Sequence, residues 1–250
     1  DRLAAYGNQD IADEQAAFRQ AGVVRANSLE DLFDCARAFG YLPPLRGDRI
    51  AIVTNAGGPG ILATDALERA GLTLARFDPE RIRALEQFLP DAASAANPVD
   101  LLGDARADRY RFALQQVCAD PHVDGVLVIL APQALTEFEE TALVVAETMR
   151  STTIPILACF MGEARMQAGT AVLDRHHVPN FPFPERAALV LKAMSTYRAY
   201  SAEPLPEISE FPIDRGRVRR TIDSAVGGGR VTLGDAEARE IAQAWGLATP

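Results

Sequence analysis

Apolar positions in the first 45 residues recur mostly at helical spacing. "IADEQAAFRQA" reads as a helix, "GVVRA" as a short strand and "SLEDLFDCARAFG" as a second helix, in which Ser28 followed by Asp31 resembles a capping box with a shortened acid. "LPPLRGD" (42–48) interrupts both periods with two prolines and a glycine and reads as a linker. From residue 48 the alternation becomes regular. Apolar runs at 50–54, 72–76, 125–131, 154–160 and 178–183 are separated by helical patterns near 60–70, 80–89, 105–118, 136–150 and 163–175, and a further one follows at 185–200. Five strands with helices between them predict a parallel sheet, because parallel neighbours need a crossover and a helix supplies it. The unbroken apolar runs "GVLVILA" and "IPILACF" fit strands covered on both faces. The expectation is a doubly wound α/β domain over residues 48–200. Beyond it, "AEPLPEISEFPID" reads as an extended linker, residues 215–225 as a short helix, and "VTLGDAEAREIAQAWGLATP" as the opening of another domain.

Within that alternation "TNAGGPG" (54–60) falls between the first strand and its helix, where open α/β sheets bind ligands. Glycines let backbone N–H groups converge there, and a helix N-terminus adds roughly half a positive charge, so an anion is the natural guest. Three other readings compete. Gly58, Gly60 and Ala63 fit the dinucleotide fingerprint G-x-G-x-x-G/A, with Asp78 placed to bind a ribose, although Pro59 removes an amide that should face the pyrophosphate. A P-loop needs Gly-Lys-Ser/Thr, and Ile61 and Leu62 stand there instead. A glycine turn serving only close helix–strand packing is the third.

Composition narrows the chemistry. The 250 residues carry a formal net charge of -9, which opposes phosphate-backbone binding and excludes nucleic acid as the expected partner. The only lysine is Lys192, so amine nucleophiles have almost no candidates. Cys35, Cys118 and Cys159 lack metal-ligand or disulfide spacing and read as reduced thiols of a cytoplasmic protein. No apolar run approaches the roughly 20 residues that span a bilayer, so no membrane partner is expected.

Other polar positions group near the same edge. "NPVDLLGD" (97–104), with Asn97, Asp100 and Gly103, reads either as a substrate-facing loop or as a helix entry capped by Asp104. Gln133, Gly162 and Glu163 follow the third and fourth strands and should approach the same crevice. Glu137, Glu139, Glu140 and Glu147 read as the solvated face of one helix. His122 precedes a strand and His176 and His177 end a helix, so all three read as structural. No catalytic nucleophile and no metal site is expected.

Taken in order, several segments resemble one family, the NDP-forming acyl-CoA synthetases related to succinyl-CoA synthetase. "QAAFRQAGVVRANSLEDLFDCARAF" is similar to the end of that family's first ligase subdomain, and "RIAIVTNAGGPGILATDALERAGL" to the opening of its second, flavodoxin-like one. "ANPVDLLGDA", "DGVLVILAPQALT" and "IPILACFMGE" resemble later segments of that subdomain, and "LGDAEAREIAQAWGLATP" resembles the start of an ATP-grasp domain. The resemblance implies residues 1–45 as the remnant of a preceding subdomain, 48–200 as the ligase-CoA domain, and 201–250 as linker and ATP-grasp start. It also implies CoA, ADP or ATP with magnesium, and an acyl-CoA or carboxylate substrate for the parent protein. The partners implied are the parent's CoA-binding and ATP-grasp domains, and a homo-oligomer is compatible with it.

In such enzymes a mobile histidine carries the phosphoryl group and is cradled between two helix N-termini. The resemblance assigns one of those termini to Asn55, Ala56, Gly57, Gly58 and Gly60, with phosphate as the ligand. The family's histidine loop has no counterpart in "DRLAAYG" (1–7), which holds no histidine. That departure also fits a catalytically silent, acyl-CoA-sensing region of a protein lysine acetyltransferase.

Overall fold

A computed structural model describes residues 17–202 and 213–248, with the side chains of residues 163 and 164 outside the description. Two compact units divide at residue 203. In the first, helix α1 (Leu29–Tyr41) leads into strand β1 (Arg49–Thr54), helix α2 (Gly57–Arg69), strand β2 (Thr73–Leu74) and helix α3 (Pro79–Phe88). Strand β3 (Val99–Asp100), α4 (Ala107–Cys118), β4 (Gly125–Leu130), α5 (Phe138–Ser151), β5 (Ile156–Phe160), α6 (Glu163–Arg175) and α7 (Pro184–Ala202) follow. The second unit holds α8 (Arg215–Gly227) and α9 (Asp235–Ala244). No helix among the described residues is long and apolar enough to cross a membrane.

The sheet is parallel and five-stranded, ordered β2, β1, β4, β5, with β3 on the edge of β1 that β2 also uses. Side chains alternate across it. Ala51, Val53, Val126, Val128, Ile156 and Ala158 join a core under α3 to α6. Ile50, Ile52, Leu127, Ile129, Leu157 and Cys159 join another under α1, α2 and α7. Both faces are dry, which is why β4 has every residue buried and reads as an unbroken apolar run.

The fifth strand is not the expected one. Residues 178–183 reach the sheet through a single parallel bridge, Ala158 to Asn180. Pro179 and Pro182 carry no N–H for a ladder. Val99 and Asp100 pair instead with Val53 and Thr54. "GVVRA" forms no strand, whereas α1 lends Ala38 to the second core and is tied to α7 by Arg186, which pairs with Glu30 and Asp34. Ser28 caps α1 by accepting the Asp31 N–H at 3.0 Å.

Between β2 and β3 the edge of β1 is completed by a side chain. Asn97 Oδ1 accepts the Ile52 N–H at 2.9 Å, while its Nδ2 donates to Ile50 O at 2.8 Å and to Ala75 O at 3.0 Å. The peptide bond from Asn97 to Pro98 is cis.

The amino end of β1 is fixed by charge. Asp124 accepts from Arg49 Nε at 2.8 Å, Nη2 at 2.9 Å and the backbone N–H at 3.0 Å. A Cβ at Gly47 would fall 2.3 Å from Asp124 Oδ2, so only glycine lets the chain pass. Burial alone would raise the Asp124 pKa, but the Arg49 hydrogen bonds and charge outweigh it and hold the carboxyl below its ordinary value.

In the second unit Asp214 caps α8 by accepting the Arg217 N–H at 2.8 Å. Glu237 accepts the Gly234 N–H at 2.8 Å and pairs with Arg230, and the Arg230 hydrogen bonds together with that N–H hold its carboxyl at about 2.

Two outcomes follow for stability. Asn97→Ala removes the partners of the Ala75 carbonyl and the Ile52 N–H, while Ile50 O keeps the Ala75 N–H, and should cost about 2–4 kcal/mol in urea unfolding. Asp124 has a lowered folded pKa, so its contribution is present above its unfolded value and is lost as pH falls. Asp124→Asn should therefore be less stable than wild type at pH 7, and the gap in thermal unfolding midpoint should narrow below about pH 4.

Candidate functional site

Where β1 leaves the sheet, its last residues are held by side chains. Asn55, which is 1% exposed, continues the pairing with β4: its Nδ2 donates to Ala131 O at 2.9 Å and its Oδ1 accepts the Ala131 N–H at 2.8 Å. Beneath it the Tyr110 hydroxyl donates to Ile129 O at 2.7 Å. Burial and then the nearby Asp100 charge push the Tyr110 pKa far up, so the phenol stays protonated. Thr54 Oγ1 accepts the Ala56 N–H at 3.1 Å and donates to Ala56 O at 3.0 Å, closing a tight corner.

Helix α2 starts directly from that corner. Its N-cap, Ala56, makes no side-chain cap, and its first turn has no acidic residue. The Gly60 N–H turns back to Ala56 O at 3.2 Å, and Pro59 has no N–H. Gly57 and Gly58 are exposed, and their N–H groups have no acceptor among the described residues. Two free donors at the positive end of a helix dipole suit one small anion.

Close approaches bring the neighbouring loops to this corner. A Cβ on Gly60 would lie 3.2 Å from Thr54 Cγ2 and 3.6 Å from Pro98 Cβ. A Cβ on Gly57 would lie 3.2 Å from Asp100 Oδ2. Asp100 uses its other oxygen to accept the Leu102 N–H at 3.0 Å, and Leu102 itself sits at φ 69°, a left-handed conformation that a leucine adopts only when its surroundings impose it. On the far side Gly103 packs against Gln133, with Cδ 3.4 Å from its Cβ position, and Gly162, at φ 92°, packs against Pro132. Arg109 braces this loop by donating to Leu101 O at 2.6 Å and to Asp104 Oδ1 at 2.8 Å.

The structure thus gathers Gly57, Gly58, Gly60 and Asp100 at one corner, with Gly103 and Gln133 in contact beside it and Gly162 packed on the same loop as Gln133. Asn55 and Asn97 point their amides into the sheet, and the Ala56 N–H is taken by Thr54. The Glu163 side chain lies outside the described residues. Asp104 does not cap α4; Glu137 does, accepting the Ala107 N–H at 3.1 Å, and Glu137 also pairs with Arg106 rather than standing on a solvated face. Asp78, the ribose acid of a dinucleotide reading, faces His122, with 3.1 Å between its Oδ1 and Nδ1. Tyr110, Thr54 and Arg109 were invisible as site residues in the sequence, since each acts through a partner distant in sequence or through the backbone.

Comparison with known proteins places this arrangement. Residues 50–206 match the model of the Ligase-CoA domain. The chain is 37% identical over 235 residues to acetate–CoA ligase (ADP-forming) I of Archaeoglobus fulgidus, covering 93% of this chain and 33% of that protein. It is 30% identical to 4-hydroxybutyrate–CoA ligase (ADP-forming) of Nitrosopumilus maritimus, covering 99% of this chain and 35% of that protein. Among solved structures, the dinucleotide forming acetyl-coenzyme A synthetase 1 of Ca. Korarchaeum cryptofilum, in complex with phosphate and ADP, superposes with a TM-score of 0.71 at 29% identity, over 76% of this chain and 42% of that one. The chain spans about a third of the length of these two curated relatives.

Removing the Tyr110 hydroxyl takes its donor from Ile129 O, in the strand that faces the end of β1. Tyr110→Phe should cost about 1–2 kcal/mol in urea unfolding, the cost of leaving one buried carbonyl without that donor.

Proposed function

The chain belongs to the Ligase-CoA domain family, and on that premise we propose that it is the ligase module of an ADP-forming acyl-CoA synthetase. The parent protein interconverts an acyl-CoA, ADP and phosphate with a carboxylic acid, CoA and ATP, through a phosphohistidine. The observation that carries the role of this module is the pair of unclaimed N–H groups on Gly57 and Gly58 at an uncapped helix N-terminus. They receive a phosphate or a phosphoryl group brought by another part of the protein.

A nucleotide or CoA does not fit this corner. Its phosphate chain needs a run of amides, in a P-loop joined by a lysine, whereas Pro59 offers none and the Gly60 amide is bonded to Ala56. CoA and the magnesium nucleotide therefore belong to the CoA-binding and ATP-grasp parts of the longer protein. The loops carrying Gly103, Gln133 and Gly162 border the acyl end.

Asp100 sets the terms of binding. Its Oδ2 accepts no hydrogen bond among the described residues and lies beside the first donor, so an arriving phosphoryl oxygen meets a like charge. Two free N–H groups then work against one carboxylate, which favours weak, reversible capture over tight storage.

Inorganic phosphate titrated into the chain should shift the Gly57 and Gly58 amide resonances saturably. Gly57→Pro keeps the first helical position after an extended Ala56, removes one donor and obliges Asp100 Oδ2, 3.2 Å from the new Cβ, to give slightly; it should weaken phosphate binding about tenfold, the loss of one charge-assisted hydrogen bond. Asp100→Asn should tighten it by a similar factor. Saturable NAD binding with no response to phosphate would sink the proposal. For the parent protein, radioactive ATP should leave an acid-labile, base-stable phosphoprotein, and absence of that label would favour the silent acyl-CoA-sensing reading.

A further inference from the structure

At the opposite, amino edge of the sheet three side chains that are far apart in sequence converge. Asp78 precedes α3, while Asp120 and His122 lie in the turn that leads from α4 into β4. One ligand atom from each lies within 4.8 Å of the others. His122 Nδ1 is 3.1 Å from Asp78 Oδ1 and 3.3 Å from Asp120 Oδ1.

Three features make this more than a surface ion pair. First, one ring N–H shared between two carboxylate oxygens makes two bent, weakened bonds, whereas a cation with bonds of about 2.1 Å holds adjacent ligand atoms about 3.0–3.4 Å apart at angles near 90–110°. Second, Asp120 is locked. Its side chain is fully buried, its Oδ2 accepts the Asp78 N–H at 2.7 Å and its Oδ1 accepts the His122 N–H at 2.8 Å. Outer hydrogen bonds of this kind hold a ligand carboxylate in place before a metal arrives. Third, Asp78 occupies the N-cap position of α3, but its carboxylate makes no cap hydrogen bond. It is turned to His122 instead, and its Oδ2 has no donor among the described residues.

We propose that Asp78, Asp120 and His122 form a binding site for a divalent first-row transition cation, with zinc preferred over magnesium. The imidazole selects against magnesium, which favours oxygen alone, and two carboxylates with one imidazole suit a borderline cation. Asp78 and His122 are half-exposed, so the remaining coordination positions face water. The bound cation would join the end of the β2 excursion to the entry of β4. This site lies at the other end of the strands from the Gly57 corner, and its existence does not rest on the proposed ligase role.

The test uses the full 250-residue chain. Zinc titrated by calorimetry should bind one to one, and an excess of magnesium should not displace it. Cobalt in its place should give a visible ligand-field band. His122→Asn and Asp78→Asn should each weaken zinc binding by about tenfold or more and remove the cobalt band, with circular dichroism showing that the variants are folded. The double variant His176→Ala, His177→Ala removes the other histidines and should bind as wild type does. Absence of saturable zinc binding overturns the proposal. So does binding that survives both His122→Asn and Asp78→Asn, or binding that is lost in the double variant.

Discussion

The way β1 ends governs the rest of the domain. A parallel strand that leaves its ladder exposes backbone groups to an apolar interior, and each unpaired group there costs more than a hydrogen bond ordinarily contributes. Here side chains complete the ladder. Asn55 pairs with both backbone groups of Ala131 on the β4 side, and Asn97 satisfies Ile50, Ile52 and Ala75 on the other. With those edges closed, the chain can turn sharply at Thr54 and start α2 with glycines whose N–H groups remain free. The open N–H groups of the corner therefore depend on two asparagines whose amides are spent on the sheet backbone.

Much of this architecture was legible in the sequence because it depends on local period. The helices and the three long strands follow from apolar spacing, and the two-sided cover of β4 follows from its unbroken apolar run. What was not legible depends on partners distant in sequence. Val99 and Asp100 are too few to show a period, yet they pair because Asn97 holds the loop against β1. Residues 178–183 look like a strand by composition, but their prolines reduce them to one bridge. The candidate site divides the same way: position after β1 identified the glycines, whereas nothing local shows that Asn97 faces the sheet or that Asp100 abuts Gly57. Glu137 illustrates the reverse error, since an acid at helical spacing looked solvated and instead caps the neighbouring helix α4.

Parallel topology also sorts charge along the strands. Most crossover helices run opposite to the strands, so their N-termini collect at the carboxyl edge and their C-termini at the amino edge, whereas the N-terminus of α3, at Asp78, lies beside Asp120 and His122. The carboxyl edge is a place for anions, and it is there that α2 leaves two N–H groups open. A carboxylate at the amino edge faces the negative ends of helices and needs its own compensation. Asp124 obtains it from Arg49, Asp48 from Ser195 and Arg198, and Asp120 from two backbone N–H groups.

Against that background Asp78 and His122 stand out. Burial at the amino edge removes water from Asp120, and the nearby C-terminus of α4 adds its partial negative charge there, while Asp78 sits at the N-terminus of α3. A cation bridging the three groups would offset both carboxylates. A divalent cation would neutralise two charges and accept ligands from three directions. The proposed cation site thus depends on the local convergence of three side chains rather than on helix direction, since Asp78 stands at the N-terminus of α3 and Asp120 near the C-terminus of α4.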